Sequence, residues 1–127
     1  MKKEVITPEE MFPSSTPYSP GVLMGNILFI SGQIAYDSER HLVGPGDIRK
    51  QTEQCLRNLG LILDEAGFHV NQVAKVTVFL SDMKNFSDMN EVYKTFFGSD
   101  FPARSCVEAK LASTEFLVEI EAIAVKD

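Results

Sequence analysis

The sequence predicts a two-layer α+β domain in which two helices cover one face of a mixed β-sheet, with the element order ββαβαββ. Two stretches repeat apolar residues at helical spacing, and five others show the apolar runs or the alternation typical of strands. The chain has 127 residues, of which 44% are hydrophobic, and this suits one domain over residues 1–127 with one core.

The first two strands are predicted to form a β-hairpin. Apolar runs at 22–24 and 27–36 flank Gly25 and Asn26, a pair typical of tight turns. Residues 7–21 precede the hairpin and contain four prolines, so we expect an irregular arm there that carries Tyr18.

Two amphipathic helices are predicted, separated by a buried strand at 73–80. The first helix spans 48–66, with Asp47 as N-cap and Gly67 as C-cap. The second spans 85–98 and ends at a glycine. The apolar stripe of the first helix contains Ile48, Thr52, Cys55, Leu59, Ile62 and Ala66, and that of the second contains Phe86, Met89, Tyr93 and Phe96.

The last two strands, at 103–111 and 116–125, alternate between two faces. In the first, we expect Ala103, Ser105 and Val107 to face the core, and Arg104 and Cys106 to face away. In the second, the expected core face is Phe116, Val118, Ile120, Ala122 and Ala124, and the opposite face is Leu117, Glu119, Glu121, Ile123 and Val125.

Two helices are too few to cover both faces of the sheet. Leu117, Ile123 and Val125 would therefore form an apolar patch in contact with water, and we expect a second copy of the chain to cover it. This pattern predicts an oligomer without giving the number of subunits.

The composition argues against several classes of protein. A net charge of -6 and a pI near 4.9 disfavour nucleic-acid binding. No apolar run approaches the roughly 18 residues that a membrane span needs, and the N-terminus lacks a signal-peptide pattern, so a cytosolic location is expected. Cys55 and Cys106 do not suggest a disulfide framework.

Arg104 and Cys106 are candidate functional residues. A guanidinium in the middle of a strand needs an anion, which is either Glu119 or Glu121 on the same sheet face or a bound carboxylate. Cys106 would share the face of Arg104, where it is either a small buried filler or part of a site.

Glu119 and Glu121 share a face of the last strand, either as paired acid and base or as solvated charges. His41 and His69 have no spacing to Cys106 that would support a Cys-His dyad. Metal-ligand spacings are absent from the sequence, and Ser31-Gly32-Gln33 lacks the glycines and lysine of a phosphate loop.

The whole chain resembles the Rid family, the reactive enamine/imine deaminases also called the YjgF family. The segment FPARSCVEAKLASTEFLVEIEAIAV at 101–125 is similar to the family signature, and four further segments match in order. They are PYSPGV at 17–22, ISGQI at 30–34, KVTVFLSDM at 75–83 and the helix at 86–97.

The resemblance implies a fold like that of the small chorismate mutases, a barrel-like homotrimer with active sites between subunits. It implies hydrolysis of 2-imino acids, which arise from 2-aminoacrylate and its homologues, to 2-keto acids and ammonia. This is the activity of a 2-iminobutanoate/2-iminopropanoate deaminase, with no metal or organic cofactor.

The resemblance also implies roles for individual residues. Arg104 would bind the substrate carboxylate, Glu119 would activate water, and Cys106 would line the imine end. The residues that would shape and cap the pocket are Tyr18, Ser31, Gly32, Phe86 and Asn90.

Three other functions stay open. One is a non-catalytic regulator that binds small carboxylates on the same trimer, and another is an RNA-cleaving translation inhibitor, which the acidic charge and the missing histidine pair disfavour. The third is a chorismate mutase, which the fold allows, although fold alone does not convey function. A short link at 98–100, Ala35 and Ser113 depart from the family pattern and bear on substrate range.

Overall fold

A six-stranded sheet and two α-helices make up the computed structural model, which describes residues 1–11 and 13–127. Phe12, within the predicted arm, lies outside the described residues. The strands are β1 (Lys3–Ile6), β2 (Gly21–Met24), β3 (Ile27–Gln33), β4 (Val73–Leu80), β5 (Ala103–Glu108) and β6 (Val118–Val125), and the helices are α1 (Ile48–Ala66) and α2 (Phe86–Phe97).

The strand order is β1-β2-β3-β6-β4-β5, in which β4 and β5 are parallel and all other neighbours are antiparallel. This confirms the predicted α+β class with a mixed sheet and adds one strand to the predicted order. The added β1 has only four residues and carries Lys3 and Glu4, which suit an edge strand and leave little apolar pattern to detect.

Both predicted helices are present, and the caps of α1 explain its bounds. The Asp47 carboxylate accepts a hydrogen bond from the Lys50 amide at 3.1 Å. At the other end Gly67 adopts the left-handed conformation, with φ at 78°, and its amide donates to the carbonyl of Asp64. No helix among the residues described is long and apolar enough to cross a membrane.

The core lies between the helices and one face of the sheet. The core includes Cys55, Leu59 and Ile62 of α1, which are fully buried, and the alternating residues Val118, Ile120, Ala122 and Ala124 of β6. The hydrophobic side chains of the core account for most of the favourable free energy of folding. Both cysteines are free thiols.

The other face of the sheet, which we call the open face, carries no helix. Val5, Phe29, Val107 and Val125 lie on it with exposed fractions of 54%, 45%, 42% and 41%. The prediction of exposed apolar side chains is therefore confirmed for Val125. Leu117 instead precedes β6 and packs, partly buried, against the core.

The predicted orientation of β5 is wrong. Ala103, Ser105 and Val107 are exposed, whereas Arg104 and Cys106 are partly buried on the helix side. The register pairs Arg104 with Val76 of β4, a core residue. The strand still alternates, but its polar Arg104 faces the helices because α2 offers the arginine polar and aromatic contacts at this edge of the sheet.

Candidate active site

The predicted site residues fall into two clusters on opposite faces of the sheet. Register along β4 shows this directly, since Arg104 pairs with Val76 while Glu119 of β6 pairs with Phe79. Successive residues of a strand point to opposite faces, so Val76 and Phe79 face opposite ways. The predicted alternative of an ion pair between Arg104 and Glu119 or Glu121 on one face is therefore wrong.

The first group, which we call the arginine cluster, contains Phe86, Asn90, Arg104 and Cys106. Nη1 of Arg104 donates a hydrogen bond to Oδ1 of Asn90 at 2.8 Å, and the guanidinium lies 5.6 Å from the centre of the Phe86 ring. Among the described residues no hydrogen bond or ion pair engages Nη2 or Nε. This leaves one edge of the guanidinium, with its parallel N–H donors, open to a carboxylate.

Cys106 follows Arg104 by two residues and faces the same side of the sheet. Partial burial raises the pKa of its thiol, and the positive charge of Arg104 acts weakly in the opposite direction. The thiol is therefore protonated at neutral pH and is a poor nucleophile.

The second group, which we call the glutamate cluster, contains Ser31, Gly32 and Glu119. A β-bulge forms it, because Ser31 and Gly32 of β3 lie opposite the single residue Glu121 of β6. A Cβ atom added to Gly32 would overlap the Glu119 carboxylate, and its distance to Cδ would be 2.8 Å. Only glycine at position 32 leaves room for the Glu119 carboxylate in its observed position.

The irregular arm at 7–21 is hydrogen-bonded to the same bulge. Oγ of Ser31 donates to the carbonyl of Ser19 at 2.6 Å, and the Ser31 amide donates to the carbonyl of Pro20 at 2.9 Å. These bonds anchor Ser19 and Pro20 at the bulge, and Tyr18, the residue before Ser19, is 54% exposed.

Glu119 is half-buried, and its carboxylate takes part in no hydrogen bond or ion pair among the described residues. Burial raises the pKa of its carboxyl, and the negative charge of Glu121 raises it further. A carboxylate with a raised pKa binds a proton more readily, which suits a general base.

The histidines lie elsewhere. His41 is in an exposed loop beside Asp37, and His69 precedes a short 3-10 helix, where its amide donates to Gln72. In residues 1–11 and 13–127, no group of three or more His, Cys, Asp or Glu side chains is arranged to hold a metal ion.

Sequence reasoning from alternation alone found Arg104, Cys106 and Glu119, and resemblance supplied the other five residues. It missed Tyr93 and Met89 of α2, which contact the Arg104 guanidinium. Both belong to the apolar stripe of the helix, which predicts core residues, and no signal in that stripe distinguishes packing in the core from contact with the arginine.

The fold and these clusters define a two-layer α+β protein in which Nη2 and Nε of Arg104 and the separate Glu119 carboxylate have no partner among the described residues. Residues 9–126 match a protein-family model described as Endoribonuclease L-PSP. The chain belongs to this family, which is the Rid or YjgF family.

Individual relatives cover nearly the whole chain. It is 47% identical to a RutC family protein of Pyrococcus horikoshii, over 98% of this chain and 99% of that protein. It is 42% identical to the 2-iminobutanoate/2-iminopropanoate deaminase of Mus musculus, over 87% of this chain and 82% of that protein.

A solved structure agrees with both the fold and the family. The crystal structure of Escherichia coli TdcF with bound serine has a TM-score of 0.90 and 34% sequence identity, and the match covers 98% of this chain and 99% of that one.

Proposed function

We propose that this protein is a deaminase that hydrolyses reactive 2-imino acids, and the enamines from which they form, to 2-keto acids and ammonia. The observation that carries the proposal is the open Nη2/Nε edge of Arg104, held in place by Asn90 in a half-buried aromatic setting. The deaminase name of the mouse relative and the serine bound to TdcF support a small substrate with a carboxylate.

The chemistry requires few groups. Arg104 would bind the substrate carboxylate and thereby fix the position of the neighbouring C=N carbon. Glu119 would accept a proton from water as the water oxygen bonds to that carbon, and would pass that proton to the imine nitrogen, which gives a carbinolamine with a hydroxyl and an amino group. Glu119 would then take the hydroxyl proton as the C=O bond of the keto acid forms, and would deliver it to the nitrogen as the C–N bond breaks and ammonia leaves.

Such a site needs both clusters, yet one chain places them on opposite faces of the sheet. We therefore propose a homotrimer in which the arginine cluster of one subunit meets the glutamate cluster of the next. The exposed Phe29, Val107 and Val125 of the open face would be covered by this assembly. We further propose that the protein acts in the cytoplasm without a metal or organic cofactor and binds neither nucleic acid nor membranes.

The direct test generates 2-aminoacrylate with a serine/threonine dehydratase in the presence of semicarbazide. If the proposal is right, the protein lowers the fraction of imine trapped by semicarbazide and speeds ammonia release, with or without a chelator. Unchanged trapping and ammonia release would contradict the proposal, and loss of activity in chelator alone would contradict only the metal-free site.

A subunit-mixing experiment tests the shared site. Arg104→Ala and Glu119→Gln chains, each nearly inactive alone, are denatured together and refolded as mixed trimers. Random assembly places an intact arginine cluster against an intact glutamate cluster in about one quarter of the sites, so about that share of activity should return. No recovery in trimers shown to be mixed would mean that each site lies within one chain.

A second candidate is a non-catalytic regulator that binds small carboxylates. The observation that favours it is that the arginine cluster is complete within one chain and contains no base. Tight binding of 2-oxobutanoate by a protein that releases no ammonia from imines would support this function. An RNA-cleaving activity is disfavoured by the net charge of -6 and by the positions of His41 and His69.

A further inference from the structure

One stripe of α2 contacts the guanidinium of Arg104 along two helical turns. The stripe consists of Phe86, Met89, Asn90 and Tyr93, at positions i, i+3, i+4 and i+7, which share one side of a helix. Two of these residues offer aromatic rings, one an amide oxygen, and one a thioether sulfur that lies 3.9 Å from Nη1.

Tyr93 makes the nearer of the two ring contacts. Its ring centre lies 4.7 Å from Cζ of Arg104, against 5.6 Å for Phe86. Tyr93 is only 5% exposed, whereas Phe86 is 38% exposed, so Tyr93 is the better shielded from water. The ring of Phe97 lies beside Tyr93 with a centroid separation of 4.6 Å, and it makes no ring contact with Arg104.

The phenol of Tyr93 is uncharged under ordinary conditions. Burial raises its pKa to about 12, although the charge of Arg104 acts in the opposite direction. Its hydroxyl oxygen is buried and has no hydrogen-bond partner among the described residues. The ring face, and not the hydroxyl, therefore accounts for the interaction with the cation.

We propose that Tyr93 is a positioning residue that acts through Arg104 and keeps the Nη2/Nε edge of its guanidinium directed toward the substrate carboxylate. An arginine side chain has several rotatable bonds, and ordering it on binding would weaken affinity. The ring of Tyr93 and the amide of Asn90 restrict it beforehand from two directions. This inference rests on the proposed role of Arg104 as the carboxylate-binding residue.

The test compares Tyr93→Leu with Tyr93→Phe. Loss of a shielded cation–π contact should weaken 2-oxobutanoate binding about 3- to 30-fold in Tyr93→Leu, as measured by calorimetry. KM should rise with it while kcat changes little, because the carboxylate contact is the same in the ground and transition states. Tyr93→Phe keeps the ring face, so its affinity and KM should equal those of the wild type.

Phe97→Leu is the matched control for a merely structural effect. It removes an aromatic ring from the same helix, and that ring contacts Tyr93 and Phe96 but not Arg104. We expect lower stability with unchanged affinity for 2-oxobutanoate. If Tyr93→Leu does not fold, Tyr93→Met replaces it, since the unbranched methionine side chain adapts to an irregular gap and has no ring.

A second measurement does not depend on activity. The Nε–H signal of Arg104 in a nitrogen-15 NMR spectrum, identified by its loss in Arg104→Lys, should be displaced by the ring currents of its neighbours. Tyr93→Leu should move it toward the position of an ordinary arginine, whereas Tyr93→Phe and Phe97→Leu should leave it in place.

The outcomes separate the two proposals. If the wild type neither binds 2-oxobutanoate nor hydrolyses imines, the proposed function fails, and the NMR signal alone decides whether Tyr93 positions Arg104. If Tyr93→Leu leaves the signal unmoved, or if Phe97→Leu weakens binding as much as Tyr93→Leu does, the inference about Tyr93 is wrong.

Discussion

The arginine cluster and the glutamate cluster are built by different structural means. Rigid elements form the arginine cluster, because a helical stripe of α2 packs on the edge strand β5 and contacts one guanidinium from several directions. A bulge in β3 and an irregular arm form the glutamate cluster, which leaves its carboxylate unpaired.

This difference separates two tasks of the proposed reaction. A cation held by a helix and a strand is suited to binding, since little order has to be gained when the ligand arrives. An unpaired carboxylate with a raised pKa is suited to proton transfer, since no partner has to be displaced first. Changes in the arginine cluster should therefore affect binding, and changes in the glutamate cluster should affect turnover.

The largest expected effect is that of Arg104→Ala. This variant would lose the proposed charge-assisted, bidentate contact with the substrate carboxylate, which is equivalent to about 2 to 4 kcal/mol or roughly 30- to 1000-fold in kcat/KM. Lysine at this position should restore little, because one ammonium does not reproduce the two parallel donors. Steady-state kinetics and calorimetry with 2-oxobutanoate measure the loss, and gel filtration checks that the oligomer is intact.

Normal binding of 2-oxobutanoate by Arg104→Ala, together with dissociation of the oligomer, would show that Arg104 serves assembly and not substrate binding. The separation of the two clusters would then have no bearing on the proposed reaction.

Glu119→Gln should give the opposite profile. The amide keeps the shape of the side chain but does not accept the proton of water, so kcat should fall about 100-fold while 2-oxobutanoate still binds. Equal losses of binding and turnover would mean that the two tasks are not divided between the clusters.

Gly32→Ala should produce a smaller loss of turnover by moving Glu119. The added methyl group would overlap the carboxylate, and we expect kcat to fall about 10-fold or more because a base works only within hydrogen-bond reach. The matched control is Gly60→Ala, where the new Cβ meets only Phe96 at 3.9 Å. Because alanine favours helices, that control should keep full activity and gain up to about 1 kcal/mol of stability.

The same contrast explains what could be predicted from the sequence. Helix α1 was predicted with its observed bounds because its stripe, its Asp47 cap and its Gly67 cap are all local signals. The face of β5 was predicted wrongly because alternation shows which residues share a face, not which face meets the helices. That choice depends on α2, which lies at the edge strand and contacts the guanidinium.

The two clusters also show which features of the site a local sequence pattern predicts and which it does not. The positions of Arg104 and Glu119 within strands followed from alternation, but their separation by the sheet needed the pairing of β4 with both β5 and β6. Strand order is a non-local property, and the bulge that brings Gly32 to Glu119 leaves no mark in the sequence beyond the glycine itself.

The smallest expected effect is that of Glu121→Gln. Glu121 belongs to neither cluster, and this variant tests whether its charge contributes to the raised pKa of Glu119. Partial burial and, to a lesser extent, the charge of Glu121 raise the pKa of Glu119 above its ordinary value of 4.5. Because the base must be deprotonated, kcat/KM should rise with pH along an acidic limb whose midpoint lies above 4.5. The same shift predicts that the free energy of unfolding falls as pH rises from 4.5 through the folded-state pKa, since the folded protein holds its proton longer than the unfolded chain.

Glu121→Gln removes the like charge, so the acidic limb should move to lower pH while the plateau stays unchanged. A limb that does not move would show that burial alone sets the pKa of Glu119, and a lower plateau would place Glu121 within the site.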